Sequence, residues 1–340
     1  MTASQGYHAL KESVAALVED DRVIFRIHGK RARQVVNGLL TNTLDGLEEG
    51  TARYAFALTA KGRPVAEMRV LPPPGFERAG EGPETLWIDV PAAAAEAFRE
   101  HLGRFVPPIF AEHRALDVAR LSLVGPGALE LAPRVPEALG LPAAGPVDAL
   151  RELGCASLGD GPDGLLVRRE DVEGPGIDVY VPGAARSLAA AALETLATAH
   201  GGALATPDDL DVVRVERGIP IYGHEITLET LPQETGQETR AISFSKGCYT
   251  GQEVVARIHY RGHVNRLLRG VRAGEGTTLE PGDALSAGGK VVGTVTSAVS
   301  SPRLGPIALA LLRREHGPGD RLVTEDGSEV TIAALPFTLA

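Results

Sequence analysis

The chain has 340 residues, of which 44% are hydrophobic and 23% charged, with a net charge of −10. This length favours two or three domains, because a single core rarely grows beyond about 300 residues. The negative charge argues against a protein that binds nucleic acid or an anionic membrane surface. No signal peptide and no apolar run of about 18 residues is recognisable. Two cysteines, Cys155 and Cys248, make no disulfide framework, so we expect a cytoplasmic protein.

The first 250 residues mix strands and helices without the regular alternation of a doubly wound sheet. In chain order the patterns predict a helix over 8–20, a strand over 22–29, a helix from 30 that stops near Asn42, and a hairpin over 52–71 that turns at Lys61-Gly62. A strand over 85–91 and a helix over 92–106 follow. Further strands are predicted within 116–128, 164–171 and 176–183, and further helices over 185–201 and 205–218, the last of them capped by Thr206. This succession favours the α+β class.

From about residue 263 the chain consists of short β-branched runs separated by glycine turns, the pattern of a small β-barrel or sandwich. We place a domain boundary near 250–265. The expected organisation is a region over 1–250, made of two interleaved α+β subdomains, followed by a C-terminal β-barrel over 251–340.

The stretch K-G-C-Y-T-G-Q-E at 246–253 combines two residue types that are scarce in this chain, lysine and cysteine. Cys248 is either a small buried hydrophobe, the commonest state of a free cysteine, or a reactive thiol. Lys246 and Arg257 would favour the thiolate, because positive charge stabilises it. A helix beginning near Gln252 would point free N–H groups at the same place.

Two further carboxylates are candidates for a ligand site. Glu216 lies near the end of the helix over 205–218, and a carboxylate there suits the N–H edge of a pterin, from which it can accept two parallel hydrogen bonds. Glu67 would project from the second strand of the hairpin. Both are equally readable as solvated charges. The chain lacks the usual phosphate-binding glycine loops, and the histidines near Cys248 do not make a convincing metal site.

The 246–253 motif is similar to the signature K-G-C-[YF]-x-G-Q-E of the YgfZ family of folate-binding, iron–sulfur-cluster-repair proteins. The segments T-A-K-G-R-P-V-A-E-M-R-V from residue 59 and R-V-E-R-G-I-P-I-Y-G-H-E-I from residue 214 also resemble that family. The C-terminal part resembles the barrel shared with the aminomethyltransferase, or T-protein, of the glycine cleavage system. T-proteins carry an aspartate pair where this chain has Ala66-Glu67, and they lack the cysteine.

The resemblance implies a T-protein-like multi-domain ring with tetrahydrofolate, or a one-carbon derivative of it, bound near its centre and Cys248 close by. Glu216 would bind the pterin, and Glu67 would be a replacement carboxylate. Basic residues would face the glutamate tail. The remaining expected ligand contacts are Lys246, Tyr249, Arg257, Arg261 and Arg266.

Three functions stay open at this point. The first is support of iron–sulfur cluster assembly or repair in client proteins, including radical-SAM enzymes that thiolate tRNA, with Cys248 as the reactive group. The second is folate-dependent one-carbon transfer of the aminomethyltransferase kind, which would depend on Glu67. The third is a non-catalytic binding module in which Cys248 is structural.

Overall fold

The structure of this chain is a computed structural model. It describes residues 3–45, 47, 50–76, 84–142, 152–159, 164–172, 174–274 and 276–338. Within this part of the chain no helix is both long enough and apolar enough to cross a bilayer.

The described residues form helices and strands that are mixed along the chain up to α9 and are strands alone after it. The helices are α1 (Gln5–Glu12), α2 (Ala32–Leu39), α3 (Ala95–Phe105), α4 (Ala128–Leu131), α5 (Val135–Ala138), α6 (Arg186–Ala199), α7 (Pro207–Arg217), α8 (Glu238–Ala241) and α9 (Gln252–Arg261). The strands are β1 (Ala15–Glu19), β2 (Arg22–Gly29), β3 (Arg53–Leu58), β4 (Pro64–Leu71), β5 (Glu84–Pro91), β6 (Glu112–Leu116), β7 (Val118–Val124), β8 (Cys155–Leu158), β9 (Gly164–Val172), β10 (Gly174–Pro182), β11 (Ala203–Leu204), β12 (Arg266–Ala273), β13 (Ala284–Ala287), β14 (Lys290–Ser301), β15 (Gly305–Arg313), β16 (Arg321–Val323) and β17 (Glu329–Ala333).

Two sheets occupy the N-terminal two-thirds of the molecule. One has the strand order β3-β4-β5-β2-β6, and the other has the order β11-β1-β7-β10-β9-β8. Apolar side chains of the first sheet pack against α2 and α3, and those of the second pack against α4, α5 and α6. A third apolar cluster joins the facing surfaces of the two sheets, where Trp87 and Leu71 meet Leu165 and Tyr180. The sheets therefore face each other with helices on their outer sides.

The last third of the chain closes into a barrel with the strand order β12-β15-β14-β13-β16-β17. Helix α7 attaches this barrel to the rest of the molecule. Its Arg214 donates to the hydroxyl of Ser297 at 2.9 Å, and its Glu216 accepts from the hydroxyl of Ser301 at 2.6 Å. The helix ends at Gly218, whose φ of 72° is a left-handed conformation that glycine adopts at little cost.

The α+β class with a C-terminal β-barrel, predicted from the sequence, is confirmed. The prediction of one helix over 8–20 is wrong. The structure has the helix α1 and then the strand β1, which pairs with β7 and β11. The residues Val14 to Leu17 are all buried, so this segment is apolar on both faces. Such a run fits an inner strand as well as a helix, and here pairing within the sheet decides the structure.

Candidate functional site

A cavity of about 620 Å³ lies where the two N-terminal sheets, α7 and the loop after α7 meet. Its volume is in the range of pockets that hold small organic ligands. We call it the central cavity. Charged side chains dominate its wall, with six of each sign among the described residues. The arginines that line it are Arg22, Arg69, Arg120, Arg169, Arg214 and Arg240, and the carboxylates are Glu19, Asp20, Asp21, Glu67, Asp208 and Asp211.

Glu67 is the predicted site residue that lies in this wall. Its carboxylate accepts a hydrogen bond from Arg22 Nη1 at 2.6 Å, and Tyr54 lies close enough to interact electrostatically with it. Burial, followed by the negative charge of Glu67, raises the pKa of Tyr54 well above its ordinary value. Tyr54 therefore keeps its proton and stays a donor. The ring of Tyr54 is covered by the guanidinium of Arg240, 4.7 Å from the ring centroid.

A chain of buried ion pairs continues from Glu67 into the space between the sheets. Arg22 Nε donates to Asp89 at 2.6 Å, and Arg69 binds both Asp89, at 2.7 Å, and Asp178. Burial opposes the charge on Asp89, but the positive charges of Arg22, Arg69 and Arg120 outweigh it and hold the pKa of Asp89 well below its ordinary value. Asp89 is therefore a permanent anion beneath the cavity.

The chain of ion pairs ends on the second sheet. Asp178 accepts from Arg169 Nη1 at 3.1 Å and from the hydroxyl of Ser122 at 2.6 Å. Glu19 accepts from Arg120 at 2.7 Å and from Arg169 at 3.0 Å. Strand register brings these groups together, because Arg69 lies opposite Asp89, Glu19 opposite Arg120 and Ser122 opposite Asp178. The network therefore ties the two sheets together along one side of the cavity.

The structure places Glu216 outside the wall of the central cavity. Its carboxylate accepts from the hydroxyls of Tyr7 and Ser301, each at 2.6 Å, and from Lys11 Nζ at 2.9 Å. Burial opposes its charge, but these three donors lower the pKa of Glu216 overall. The helical spacing explains the position, since Arg214 faces the cavity and Glu216, two residues on, points to the other side of α7.

Lys246 of the 246–253 motif caps the C-terminus of helix α2. Its ammonium donates to the carbonyl oxygens of Asn37 at 2.7 Å, Leu40 at 2.7 Å and Asn42 at 2.8 Å. The last carbonyls of a helix have no partner inside the helix, and a lysine at this end satisfies them. Burial lowers the pKa of Lys246 to about 8. In the structure this lysine fixes the motif to the C-terminus of α2.

Two more motif residues have packing roles. Tyr249 is buried in an apolar cluster with Phe56 and Leu58, and burial raises its pKa to about 12. Gly251 has a φ of 84°, and a Cβ there would come within 2.6 Å of the carbonyl oxygen of Thr59. The motif therefore lies directly on the turn between β3 and β4. Helix α9 begins at Gln252, as the sequence predicted.

Cys248 is exposed, and it is not among the described residues that line the central cavity. Arg257 and Arg261 are exposed on α9 and also lie outside that lining. Arg266 lines a different groove of about 910 Å³ between the barrel and the segment 224–234. There it binds the carboxylate of Glu234 through Nε and Nη2, each at 3.0 Å, and this bond raises the pKa of Arg266.

Sequence reasoning missed most of the central cavity's charged groups. The sequence did contain a signal for them: a charged residue inside a predicted strand, at a position that shares a face with apolar residues. Trp87 and Asp89 share a face of β5 in this way, and so do Leu71 and Arg69 on β4. The missed residues include Arg22, Arg69, Arg120 and Arg169 in the wall, and Asp89 and Asp178 in the chain of ion pairs behind it.

Comparison with known families identifies the chain's relatives. Residues 3–246 match the GCVT N-terminal domain, and residues 266–337 match the glycine cleavage T-protein C-terminal barrel domain. The chain belongs to the GCVT family. The second match covers the strands of the closed barrel, from β12 to β17.

Curated members of the GCVT family resemble the chain over most of its length. The aminomethyltransferase of Rubrobacter xylanophilus is 30% identical over 93% of this chain and 80% of its own. That of Pelodictyon phaeoclathratiforme is 27% identical over 97% of this chain and 89% of its own. The crystal structure of the glycine cleavage system aminomethyltransferase T from Bartonella henselae superposes with a TM-score of 0.80, at 20% identity, over 98% of this chain and 89% of that chain. The T-protein-like fold predicted from the sequence is thus confirmed.

Proposed function

We propose that the chain binds a reduced folate, tetrahydrofolate or a one-carbon derivative, in the central cavity and uses it in one-carbon transfer of the aminomethyltransferase kind. The similarity to aminomethyltransferases over nearly the whole chain supports this reaction class. The observation that carries the proposal is the position of Glu67 in the wall of a cavity of about 620 Å³. A fixed carboxylate beside such a space can accept hydrogen bonds from the N–H groups of a folate.

A binding titration tests the first half of the proposal. Tetrahydrofolate should bind the wild-type protein, and Glu67→Gln should weaken binding by about 10-fold or more, because a hydrogen bond to a charged group contributes about 1.5–3 kcal/mol. The control is Glu100→Gln, which changes an exposed glutamate on α3 in the same way. Equal affinities for the wild type and Glu67→Gln would remove Glu67 from the ligand site.

A turnover assay tests the second half. The wild-type protein is incubated with tetrahydrofolate and an aminomethyl-loaded lipoyl carrier, and the formation of methylene-tetrahydrofolate is followed. We expect turnover that Glu67→Gln lowers at saturating folate. Tight folate binding without any turnover would reject the transfer reaction and leave the binding function.

We propose a second function, support of iron–sulfur cluster assembly or repair in client proteins such as radical-SAM tRNA-thiolating enzymes. The exposure of Cys248 favours it, since an exposed thiol can meet a partner protein directly. The similarity of the 246–253 motif to the YgfZ signature supports the same function. One chain with two cysteines is poorly suited to hold a cluster alone, because clusters usually take four thiolate ligands, so any cluster contact would be transient or shared.

Complementation of a deletion strain tests this second function. Cys248→Ser should fail to restore the activity of iron–sulfur enzymes, while Cys155→Ser should restore it. The folded state of both variants is checked by circular dichroism. Full rescue by Cys248→Ser would remove the thiol from the mechanism.

A further inference from the structure

We propose that Arg22 is a positioning residue of the central cavity, which holds the carboxylate of Glu67 toward the ligand by anchoring it on Asp89. This inference rests on the proposed function, folate binding in that cavity, and adds a residue that the sequence analysis did not identify. It concerns how the ligand site is held in shape before any ligand arrives.

The guanidinium of Arg22 uses all three of its nitrogens. Nη1 donates to Glu67 at 2.6 Å, Nε donates to the Asp89 carboxylate at 2.6 Å, and Nη2 donates to the Asp89 carbonyl oxygen at 3.0 Å. The planar fork of an arginine fixes the directions of these bonds relative to one another. Glu67 is thereby connected to the backbone of β5 as well as to a side chain.

The anchor itself cannot move freely. Asp89 is fully buried, and besides Arg22 it accepts from Arg69 Nη2 at 2.7 Å and from the hydroxyl of Tyr180 at 2.6 Å. Tyr180 comes from β10, so the anchor bridges both sheets. Residues held in this way by a supporting shell keep a site in its working geometry.

Glu67 needs such support because of its own flexibility. Fixing a glutamate side chain in one position costs free energy, because the side chain loses its rotamer freedom. On the cavity side its described neighbours are the hydroxyl of Tyr54 and Arg22. With Arg22 in place this cost is met during folding, so the ligand meets a carboxylate that already points at it.

A double-mutant cycle with tetrahydrofolate tests the proposal. Arg22→Met should weaken binding by about 10-fold or more in the wild-type background, but by less than about twofold when Glu67 is already Gln, because the two residues act as one unit. Arg22→Lys should restore part of the affinity. Methylguanidinium added to Arg22→Met should also restore part of it. Equal losses in both backgrounds, or no rescue by either route, would overturn the proposal.

Two controls keep the result interpretable. Arg272→Met removes a half-buried arginine of the barrel and should leave folate affinity unchanged. If Arg22→Met does not fold, as judged by its thermal unfolding, the cycle is run with Arg22→Gln, which also removes the guanidinium. In that case the same non-additivity is expected.

A crystal structure of the ligand-free Arg22→Met variant, or of Arg22→Gln if the methionine variant does not fold, gives a readout that needs no folate. We expect the Glu67 carboxylate to leave its place beside Tyr54. An unchanged Glu67 would overturn the proposal. If the wild-type protein binds no tetrahydrofolate, the proposed function fails, and this structure still decides whether Arg22 positions Glu67.

Discussion

At the scale of single residues, the two cysteines differ in their access to solvent. Cys248 is exposed, whereas Cys155 is 6% exposed and packs between the sheets near Leu165 and Trp87. Iodoacetamide at neutral pH should therefore modify Cys248 at least about tenfold faster than Cys155, because a thiol must be accessible to react. Mass spectrometry of peptides after timed quenching measures both rates in one sample.

The same labelling experiment tests where the folate lies relative to Cys248. The resemblance implied that the thiol is close to the folate, but the structure places it outside the lining of the central cavity. Saturating tetrahydrofolate should consequently change the rate at Cys248 by less than about twofold, since ligand contact is what would block access. Strong protection by folate would contradict this position of the ligand.

At the scale of elements, the 246–253 motif is a junction between α9, the C-terminus of α2 and the β3–β4 turn. Gly251→Ala should lower the free energy of unfolding by about 1–3 kcal/mol, because a left-handed φ is strained for alanine and its Cβ would meet the carbonyl oxygen of Thr59. Denaturant unfolding measures the change. Gly247→Ala is the matched control, since the space around Gly247 is open, and an equal loss in both variants would contradict the close contact.

A second prediction at this scale concerns how the stability of the fold depends on pH through His101 on helix α3. His101 is buried, its Nε2 has no hydrogen-bond partner among the described residues, and burial followed by Arg104 lowers its pKa to about 4. In the unfolded chain His101 has its ordinary pKa of 6.5. Between pH 4 and pH 6.5 the unfolded state therefore binds more protons than the folded state. Stability should fall by about 1–2 kcal/mol as the pH drops from 6.5 to 4, a range that allows for solvent screening.

The substitution that checks this is His101→Leu, followed by urea unfolding at several pH values. It should flatten the acid-side loss, whereas His8→Gln, at an exposed position on α1, should leave the slope as it is. If His101→Leu keeps the full slope, other groups cause the acid sensitivity.

Local patterns in the sequence predicted those elements whose ends carry chemical signals. Thr206 caps α7 with a hydrogen bond from Asp209 N–H, as its residue type predicted. Helix α1 also has such a signal, Ser4, which accepts from the Tyr7 N–H, but apolar residues continue beyond the end of α1, so the spacing over 8–20 was ambiguous between helix and strand. Glu67 was identifiable as a residue projecting from a strand, but its partner Arg22 comes from β2, and Asp89, which anchors Arg22, comes from β5. Only the register between strands brings them together, and one sequence does not show that register.

At the scale of the whole molecule, a buried ionic junction connects α1, α7 and the barrel. The side chains of Lys11 and Glu216 are 7% and 4% exposed, and Tyr7 and Ser301 complete the junction from either side. Removing the charge of Glu216 would weaken three buried hydrogen bonds at once, those from Lys11, Tyr7 and Ser301, which is costly. This position explains the chemistry of Glu216 without any ligand, in contrast to the pterin contact that the sequence suggested.

A crossed comparison of two glutamates decides between these roles. Glu216→Gln should lower the free energy of unfolding by about 1–3 kcal/mol, because the hydrogen bonds to a charged carboxylate are weakened, and should leave tetrahydrofolate affinity within about twofold. Glu67→Gln should instead lower that affinity by about 10-fold or more. Denaturant unfolding and a binding titration are run on both variants at the same pH. If Glu216→Gln stays stable but loses folate binding, Glu216 is a ligand contact, as the sequence suggested. The folate would then have to bind outside the central cavity.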